Sequence, residues 1–354
     1  MLNEKQIAEI REHLDQAQNP IFFFDNDVDG LCSFLLLRRY SEKGKGIAIK
    51  SFPELDLAHF KKVQELDADY IFVLDKPLIS EEFFEEAEKF NIPIVWIDHH
   101  QIPKKIPNLV SYYNPLLNKK NKNSAFGEPT TFLCYQISQR KSDMWIATVG
   151  SFSDGFIPDF YPDFLEKYGD LGKKGKNSLE IVYESQLGKI IRILSFALKD
   201  RTTNVVNMIK FLIKSKSPYD VLEEENQNSS MHQRFNEIDL KYKRLIEKAK
   251  SQFNTNKKLL FFRYGGNLSI SADLATKLYY EFPDKYIIVA YDSGVKLNIS
   301  GRGKGIRPLI LNAIEGFESA TGGGHGDAVG AKVFSKDADK FKEQLEMFVE
   351  EENQ

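Results

Sequence analysis

The stretch Ile21-Phe22-Phe23-Phe24-Asp25-Asn26-Asp27-Val28-Asp29-Gly30 decides how this sequence folds. Four apolar residues, enough for a strand, lead directly into an acidic turn that ends in glycine. The next segment, CSFLLLRRY at residues 32–40, predicts a helix. A strand, a short turn and a helix in this order are the beginning of an α/β unit.

The same pattern recurs further along the chain. An apolar run at residues 70–74 leads into an aspartate, and another at 94–97 leads into an aspartate and two histidines. A third segment, 145–149, reads as either helix or strand and also leads to an aspartate. The alternation predicts a mainly parallel sheet, whose ligand site lies beyond the carboxyl ends of its strands. The expected strand-end acids are Asp25, Asp75, Asp98 and Asp154.

The second half of the chain predicts a different organisation. Residues 171–250 read as helices without strand-like alternation, and a second mixed unit begins near residue 257. The predicted fold class is α/β, with an N-terminal domain built on a mainly parallel sheet, a helical connector and a smaller C-terminal mixed α/β domain. The predicted bounds of these three parts are 1–200, 201–250 and 251–354.

Composition excludes several classes of protein. The chain has 354 residues, 42% of them hydrophobic, which is typical of a globular protein of about two domains. No apolar run approaches the roughly 20 residues of a membrane span, and the charged start MLNEKQIAEIREHL has no signal-peptide core. With only Cys32 and Cys134, a disulfide scaffold is excluded and a reducing compartment fits, so we expect the cytoplasm.

Charge is distributed unevenly along the chain. The net charge of −3 argues against binding of nucleic acid by bulk charge. Residues 171–220, however, hold ten Lys or Arg and only four Asp or Glu. This stretch predicts a track for a nucleic-acid backbone, with a solvated helical face as the alternative. Tyr183 and Phe196 either stack on bases or lie in the core. Three further lysines could extend the track: Lys119, Lys120 and Lys122.

The acidic residues favour a site for a hard cation. Asp25, Asp27 and Asp29 follow a predicted strand at alternate positions, where burial without a partner would be costly. A solvated turn is the alternative for these three. Taken alone, Asp75 fits a helix N-cap and Asp154 fits an Asp-Gly turn. It is the convergence of these acids on one sheet edge that predicts metal binding.

Two adjacent histidines strengthen this prediction. On an extended segment His99 and His100 would point in opposite directions, so that one binds metal and the other faces substrate. The number of carboxylates suits two divalent ions about 3.5–4 Å apart. A mixture of imidazole and carboxylate favours Mn²⁺ over Mg²⁺.

Two glycine-rich segments of the second unit suit phosphate binding. They are SGRGK at residues 300–304 and TGGGHGDA at residues 321–328. Glycine lets backbone amides approach an anion closely, and arginine binds phosphate with two parallel hydrogen bonds. A flexible loop with a chance histidine is the alternative. The candidate phosphate-binding residues are Arg302, Lys304, Gly323, Gly324 and His325.

Taken together, these motifs resemble the DHH phosphoesterase superfamily, in its RecJ-like branch with a DHH-associated C-terminal domain. LDKPLIS at 74–80 and WIDHHQ at 96–101 are similar to archaeal members in particular. The residues that carry the resemblance are DNDVDG at 25–30, Asp75, DHH at 98–100, SDG at 153–155 and GGGH at 322–325.

The resemblance implies a role for each matched residue. Asp75 matches the acid that bridges two ions, and His100 matches a histidine near the scissile phosphate or the first metal. Asp98 and Asp29 complete the implied catalytic group, in which Asp98 would orient a ligand histidine. Arg302 and His325 match phosphate-binding residues of the second domain. The implied metal ligands are Asp25, Asp27, Asp75, His99 and Asp154.

One position departs from the wider superfamily. Small phosphatase members have a histidine four residues before the first aspartate, where this sequence has Ile21. RecJ-type nucleases also tend to lack that histidine, so the departure favours a nuclease and questions full occupancy of the first metal site. The chain is also shorter than the large bacterial RecJ proteins with an extra oligonucleotide-binding domain, so we expect a weaker grip on a long strand.

The function implied by the resemblance is a Mn²⁺-dependent phosphodiesterase that hydrolyses single-stranded DNA or RNA from an end, with Mg²⁺ or Co²⁺ as substitutes. Two ions would activate a water, and a groove between the domains would admit the strand. We favour 3′→5′ polarity, a role in DNA repair, replication or RNA turnover, and a helicase or replication protein as partner. The alternatives are a phosphatase of short oligonucleotides or nucleotides, and a non-catalytic partner protein.

Overall fold

A computed structural model describes residues 1–50, 54–119, 127–254, 256–324 and 326–351. The chain divides into two compact units, residues 1–236 and 237–354. A 24-residue helix, Ser229–Gln252, contains the point of division. The three-part division expected from the sequence stays a prediction.

The first unit is built on a five-stranded parallel sheet, which confirms the predicted fold class. The strand order is β2-β1-β4-β6-β7, and every pairing is parallel. A separate pair of two-residue strands, β3 and β5, is also parallel. The strands are β1 (Pro20–Asp25), β2 (Lys45–Ile49), β3 (Glu54–Leu55), β4 (Tyr70–Leu74), β5 (Leu78–Ile79), β6 (Ile94–Ile97) and β7 (Val110–Tyr113).

The strand β1 is apolar up to its last residue, Asp25, because both faces of the sheet are covered. Its residues Ile21 to Phe24 are fully buried, as is typical of parallel strands between two layers of helices. Phe22 stacks on Phe72 of β4 with ring centroids 4.9 Å apart, and Phe24 stacks on Phe34 at 5.1 Å. The neighbours β1, β4 and β6 therefore end at one edge, where Asp25, Asp75 and Asp98 follow.

Helices cover both faces of this sheet, and three of them, α2, α5 and α6, pack closely together. Gly150 of α6 lies where a Cβ would come within 2.2 Å of Thr131 Oγ1 and 2.7 Å of Cys32 Cβ. The helices of the first unit are α1 (Glu4–Gln16), α2 (Val28–Ser41), α3 (Phe60–Glu65), α4 (Glu81–Lys89), α5 (Thr130–Ser138), α6 (Met144–Ser153), α7 (Tyr161–Lys167), α8 (Ser178–Tyr183), α9 (Gln186–Leu198), α10 (Thr202–Lys214) and α11 (Tyr219–Leu222), with 3₁₀ turns at Leu57–His59, Pro115–Asn118 and Lys141–Asp143.

The segment before Asp154 is a helix, so the prediction of a strand-end acid at this position is wrong. Asp154 follows α6, in which every residue from Met144 to Phe152 is buried. A helix that is apolar on all sides has no 3.6-residue periodicity to distinguish it from a buried strand. Asp154 therefore reaches the sheet edge from the end of a helix.

Residues 171–252 form helices and connections only, within the part of the chain that is described, as predicted. Phe196 of α9 is fully buried, and its ring lies 6.1 Å from that of Phe235. It is therefore a core residue and does not stack on bases. None of the helices in the described ranges combines the length and apolar character needed to cross a membrane.

The second unit contains a mixed five-stranded sheet, also as predicted. The strand order is β11-β12-β10-β9-β8, in which β8 and β9 are parallel and the other pairs antiparallel. The elements from residue 229 onward are α12 (Ser229–Gln252), β8 (Leu259–Gly265), α13 (Ser271–Glu281), β9 (Tyr286–Asp292), β10 (Lys296–Arg302), α14 (Ile306–Ala313), β11 (Thr321–Gly324), β12 (Ala328–Phe334), a 3₁₀ turn (Ser335–Asp337) and α15 (Ala338–Glu351).

Candidate metal centre

Side chains from three strand ends and two helix ends meet at the carboxyl edge of the first sheet. Asp25 is the last residue of β1, and Asp75 and the Asp98–His100 segment follow the neighbouring strands β4 and β6. The start of α2 adds two aspartates and the end of α6 adds one. The predicted residues of this unit that the structure brings together are Asp25, Asp27, Asp29, Asp75, Asp98, His99, His100 and Asp154.

Asp75, His99 and His100 form the tightest group. One potential ligand atom from each lies within 4.8 Å of the others. Asp75 Oδ1 lies 3.3 Å from His99 Nε2 and 3.9 Å from His100 Nδ1. One carboxylate and two imidazoles fit a transition-metal ion such as Mn²⁺ better than Mg²⁺, which prefers oxygen ligands only.

The two histidine rings approach the same carboxylate, so the expectation that they point in opposite directions is wrong. Strand β6 ends at Ile97, and the residues after it leave the extended conformation on which that expectation depended. Asp98 accepts a hydrogen bond from the His100 backbone amide (3.1 Å) and lies 2.7 Å from His100 Nδ1. This tight turn brings the two rings to a centroid distance of 4.6 Å.

Asp75 has a left-handed backbone conformation, with φ of 59°. Aspartate tolerates this conformation better than most residues, and such backbone strain is concentrated at functional sites. The Asp75 amide still donates to the Ile97 carbonyl of β6 at 3.0 Å. The Thr130 hydroxyl donates to Asp75 Oδ1 at 3.2 Å. Sequence reasoning missed Thr130 because no pattern marks it, and only the start of α5 brings it here.

Asp29 holds a helix in place. Its two carboxylate oxygens accept hydrogen bonds from the backbone amides of Thr130 (3.0 Å) and Thr131 (2.8 Å), the first residues of α5. The Thr131 hydroxyl donates to the Asp29 carbonyl at 2.9 Å. These bonds use the free amides at a helix N-terminus, where a carboxylate is also favoured by the helix dipole. Asp29 therefore positions Thr130 beside Asp75.

Asp27 caps the helix that follows it. One of its oxygens accepts from the Gly30 amide at 2.9 Å, which makes it the N-cap of α2. Gly30 itself must be small, because a Cβ there would lie 2.5 Å from the Asp25 carbonyl oxygen. Asp27 can therefore cap α2 with one carboxylate oxygen and offer the other to a metal ion, and an aspartate suits both roles.

Asp25 is paired with a buried lysine. Lys76 Nζ lies 2.9 Å from Asp25 Oδ1, and the Lys76 side chain is fully buried. The indole N–H of Trp96 donates to the Lys76 carbonyl at 2.8 Å. Sequence reasoning missed Lys76, although it stands directly after Asp75. Ile21, at the position where small phosphatases have a histidine, is a fully buried core residue.

Crowded carboxylates shift the acid–base properties of the site. Asp27 is exposed to solvent, yet the protein atoms packed around its carboxyl group and the negative charges of Asp25 and Asp29 raise its pKa to about 7. Burial, Asp29 and Asp27 also raise the pKa of Asp75. A region that disfavours its own negative charges attracts a cation.

The same carboxylates act on the histidines in the opposite direction. Burial alone would lower the pKa of His100, but the Asp98 carboxylate outweighs it and raises that pKa to about 9. Burial would also lower the pKa of His99, but the negative charges of Asp154 and Asp29 outweigh that effect. The pKa of His99 is therefore raised as well. Asp154 Oδ2 lies 3.8 Å from His99 Nδ1 and is partly exposed. The carboxylates around them thus favour the protonated, positively charged form of both imidazoles.

The predicted phosphate-binding residues of the second unit lie at one end of its sheet. Arg302 ends β10 and pairs with Ala328, and Gly324 of β11 pairs with the adjacent Val329. The glycines belong to a strand here, so the flexible-loop alternative does not hold for Gly322–Gly324. Arg302 donates to Thr276 Oγ1 (3.1 Å) and the Gly301 carbonyl (2.8 Å). His325 lies outside the described residues.

The predicted basic track is partly neutralised by its own acids. Lys173 pairs with Glu184 at 2.6 Å and with Glu180 at 3.3 Å. Lys120 and Lys122 lie outside the described residues. These ion pairs reduce the positive charge that α8 and its flanks offer to a polyanion.

Comparison with known proteins gives one family match. Residues 21–149 match the model of the DHH family, N-terminal domain. This range begins in β1 and ends in α6, so it includes every predicted residue of the metal centre except Asp154. A comparison with curated protein sequences gives no match.

Comparison with solved structures gives matches over almost the whole chain. RecJ in complex with Mn²⁺ from Thermus thermophilus has a TM-score of 0.70 at 15% identity, over 98% of this chain and 54% of that chain. This chain therefore spans about half the length of that RecJ. Exonuclease RecJ bound to manganese has a TM-score of 0.65 at 15% identity, over 98% and 93%. CDC45 from Entamoeba histolytica has a TM-score of 0.57 at 10% identity, over 98% and 99%. At these identities the likeness concerns the fold.

Proposed function

We propose that this chain is a Mn²⁺-dependent phosphodiesterase that releases nucleotides from an end of single-stranded DNA or RNA, because residues 21–149 match the DHH family model and the fold is similar to that of RecJ. Membership indicates a metal-dependent phosphoesterase. The group of Asp75, His99 and His100 at the sheet edge is the observation that carries the proposal. The two RecJ structures bound to manganese support the choice of ion.

The residues of the centre fit such an ion, and the chain's own groups prepare the site for a phosphodiester. Asp75 and His99 would hold the ion, with Asp25, Asp27 and Asp154 around it. A bound divalent ion would act as a Lewis acid that activates water and stabilises phosphoryl charge. Asp98 fixes the His100 ring and keeps it protonated, so that it can donate to a phosphate oxygen.

The second unit supports the proposal with residues suited to phosphate. Arg302, Lys304, Gly323 and Gly324 offer a guanidinium, an ammonium and backbone amides, and we propose that they bind the phosphates of the substrate. We also propose 3′→5′ polarity, action in DNA repair, replication or RNA turnover, a helicase or replication protein as partner, and a cytoplasmic location. Single strands labelled at either end would report polarity directly.

The decisive test compares two aspartate variants with the same backbone requirement. Asp75→Asn keeps a residue that tolerates the left-handed conformation but loses the charged ligand. Asp67→Asn is the matched control, because Asp67 also has a positive φ, 47°, and lies outside the centre. With end-labelled single-stranded DNA and RNA and Mn²⁺, we expect Asp75→Asn to lower the rate at least 100-fold and Asp67→Asn to leave it unchanged. Equal rates in all three proteins, or no Mn²⁺-dependent release by the wild type, would refute the proposal.

Hydrolysis of short oligonucleotides is a second candidate, favoured by the ion pairs that neutralise Lys173. A weak basic track would not hold a long strand. Substrates of 2 to 30 nucleotides separate the two candidates, since activity confined to the shortest ones would indicate a short-oligonucleotide hydrolase.

A further inference from the structure

The centre contains a cation of its own, the Lys76 ammonium. The side chain of Lys76 is fully buried, and its Nζ lies 2.9 Å from Asp25 Oδ1. Its position is determined by the backbone: the left-handed Asp75 turns the chain at the end of β4, and the Trp96 indole holds the Lys76 carbonyl. In an extended strand, successive side chains would point to opposite faces. Here the side chains of Asp75 and Lys76 both lie at the edge of the sheet, where Lys76 pairs with Asp25.

Burial of this ammonium is costly unless it is compensated. A buried lysine normally loses its proton or pairs with an acid, and removing one partner of a buried pair leaves an uncompensated charge. The partner of Lys76 belongs to a cluster of carboxyl groups, because the charge of Asp25 acts on both Asp27 and Asp75. The ammonium thus supplies positive charge at the place where two divalent ions would otherwise have to supply all of it.

The potential ligands of the centre are not equally available to a divalent ion. Asp75 and His99, the ligands proposed above for one ion, lie together with His100 in one group whose potential ligand atoms are all within 4.8 Å of one another. On the other side, Asp25 is paired with Lys76, one oxygen of Asp27 caps α2, and Ile21 offers no ligand. A second ion bound through Asp25 would have to displace the ammonium or share the carboxylate with it.

We propose that the Lys76 ammonium takes the place of a second ion beside Asp25, so that this protein binds one divalent ion tightly and a second only in competition with Lys76. The proposal rests on the metal-dependent function proposed above and states how many divalent ions its site binds. Lys76 is a positioning residue in this scheme, because it acts through Asp25 and through the charge of the site.

The test counts bound ions and needs no substrate. Mn²⁺ is titrated into the metal-free full-length chain by calorimetry, with free Mn²⁺ followed by electron paramagnetic resonance. We expect one tight ion per wild-type chain. Lys76→Met removes the charge and keeps the apolar stem, and we expect it to bind a second ion at least tenfold more tightly than the wild type. Lys76→Arg keeps the charge and should resemble the wild type.

A lysine elsewhere in the first unit is the matched control. Lys43 Nζ donates to the Ala17 carbonyl at 2.9 Å, away from the acids of the centre. Lys43→Met makes the same change of net charge and should leave the Mn²⁺ count at one. If Lys76→Met fails to fold, as judged by circular dichroism, Lys76→Gln replaces it, since the amide can still donate to Asp25.

Two tight ions in the wild type, or unchanged binding in the uncharged variant that folds, would overturn the proposal. These outcomes differ from failure of the proposed function. A protein that binds one Mn²⁺ and gains a second in Lys76→Met, but hydrolyses neither DNA nor RNA, supports the role of Lys76 and refutes the substrate. A protein that hydrolyses single strands and binds two ions tightly supports the proposed substrate and refutes the role of Lys76.

Discussion

The aspartates of the metal centre have different roles although they lie close to one another. Asp75 faces two imidazoles, whereas Asp98 holds the ring of His100 and Asp29 holds the start of α5. The sequence predicted which acids gather at the sheet edge, because each follows an apolar run. It could not separate ligands from anchors, since an anchor for backbone amides also needs a carboxylate. Lys76 and Thr130 carry no such pattern and are identified only in the folded chain.

The anchoring role of Asp29 predicts a loss of stability when its charge is removed. In Asp29→Asn one side-chain oxygen becomes an NH₂ group, which cannot accept from the amide of Thr130 or Thr131. Leaving a buried amide unsatisfied costs about 1–3 kcal/mol, so we expect the free energy of unfolding to fall by about that amount. Urea unfolding measured on metal-free protein would detect it.

Asp15→Asn is the control for this variant, because Asp15 is exposed near the end of α1. Its unfolding free energy should stay within about 0.5 kcal/mol of the wild type, as for most surface substitutions. If Asp29→Asn were equally neutral, the hydrogen bonds to α5 would not be what keeps this acid in the fold.

At the scale of elements, the sequence predicts strands well where burial is two-sided. The runs at β1, β4 and β6 are continuous and end in polar residues, so their bounds follow from composition. Helix α6 is buried on all sides and has no such signal. Strand β11 is a second failure of prediction, since TGGG has a low strand propensity and becomes a strand only by pairing with β12.

Close packing of α2, α5 and α6 predicts that Gly150 cannot be enlarged. The Cβ of Gly150→Ala would overlap Thr131 Oγ1 and Cys32 Cβ, and both neighbours lie in helices that cannot easily move. Overpacking of this kind costs about 1–3 kcal/mol. We expect a lower unfolding midpoint in thermal and urea denaturation, together with weaker Mn²⁺ binding, because α5 and α6 carry Thr130 and lead to Asp154.

The adjacent residue provides the control. Ser151 is buried, and its hydroxyl has no hydrogen-bond partner among the described residues. Ser151→Ala removes an unsatisfied polar group and should leave the midpoint unchanged or raise it. A midpoint in Gly150→Ala equal to that of Ser151→Ala would contradict the close approach of the three helices.

At the scale of the whole molecule, the metal-binding and phosphate-binding residues belong to different compact units. The candidate metal ligands all precede residue 155, and the candidate phosphate-binding residues all follow residue 300. The sequence predicted this separation from the order of its motifs. The division between the two compact units falls inside α12, where an amphipathic helix gives no sign of a boundary.

This separation predicts that Mn²⁺ stabilises one unit and not the other. A ligand that binds only the folded state adds about 2.7 kcal/mol of stability at 100 times its dissociation constant. Scanning calorimetry of the full chain should therefore show two transitions, of which Mn²⁺ raises only one. Addition of a chelator should return that transition to its starting temperature. A single transition, or an equal shift of both, would contradict independent units.

The burial of Trp96 has an optical consequence. The chain contains two tryptophans, Trp96 and Trp145, and both are buried within the first unit. All indole fluorescence of the protein thus originates there, and the second unit contributes only tyrosine emission. Because the Trp96 indole donates a hydrogen bond to the carbonyl of Lys76, one of the two fluorophores contacts the residue directly after Asp75. We therefore expect the wavelength and intensity of this unlabelled emission to change when Mn²⁺ binds at the centre.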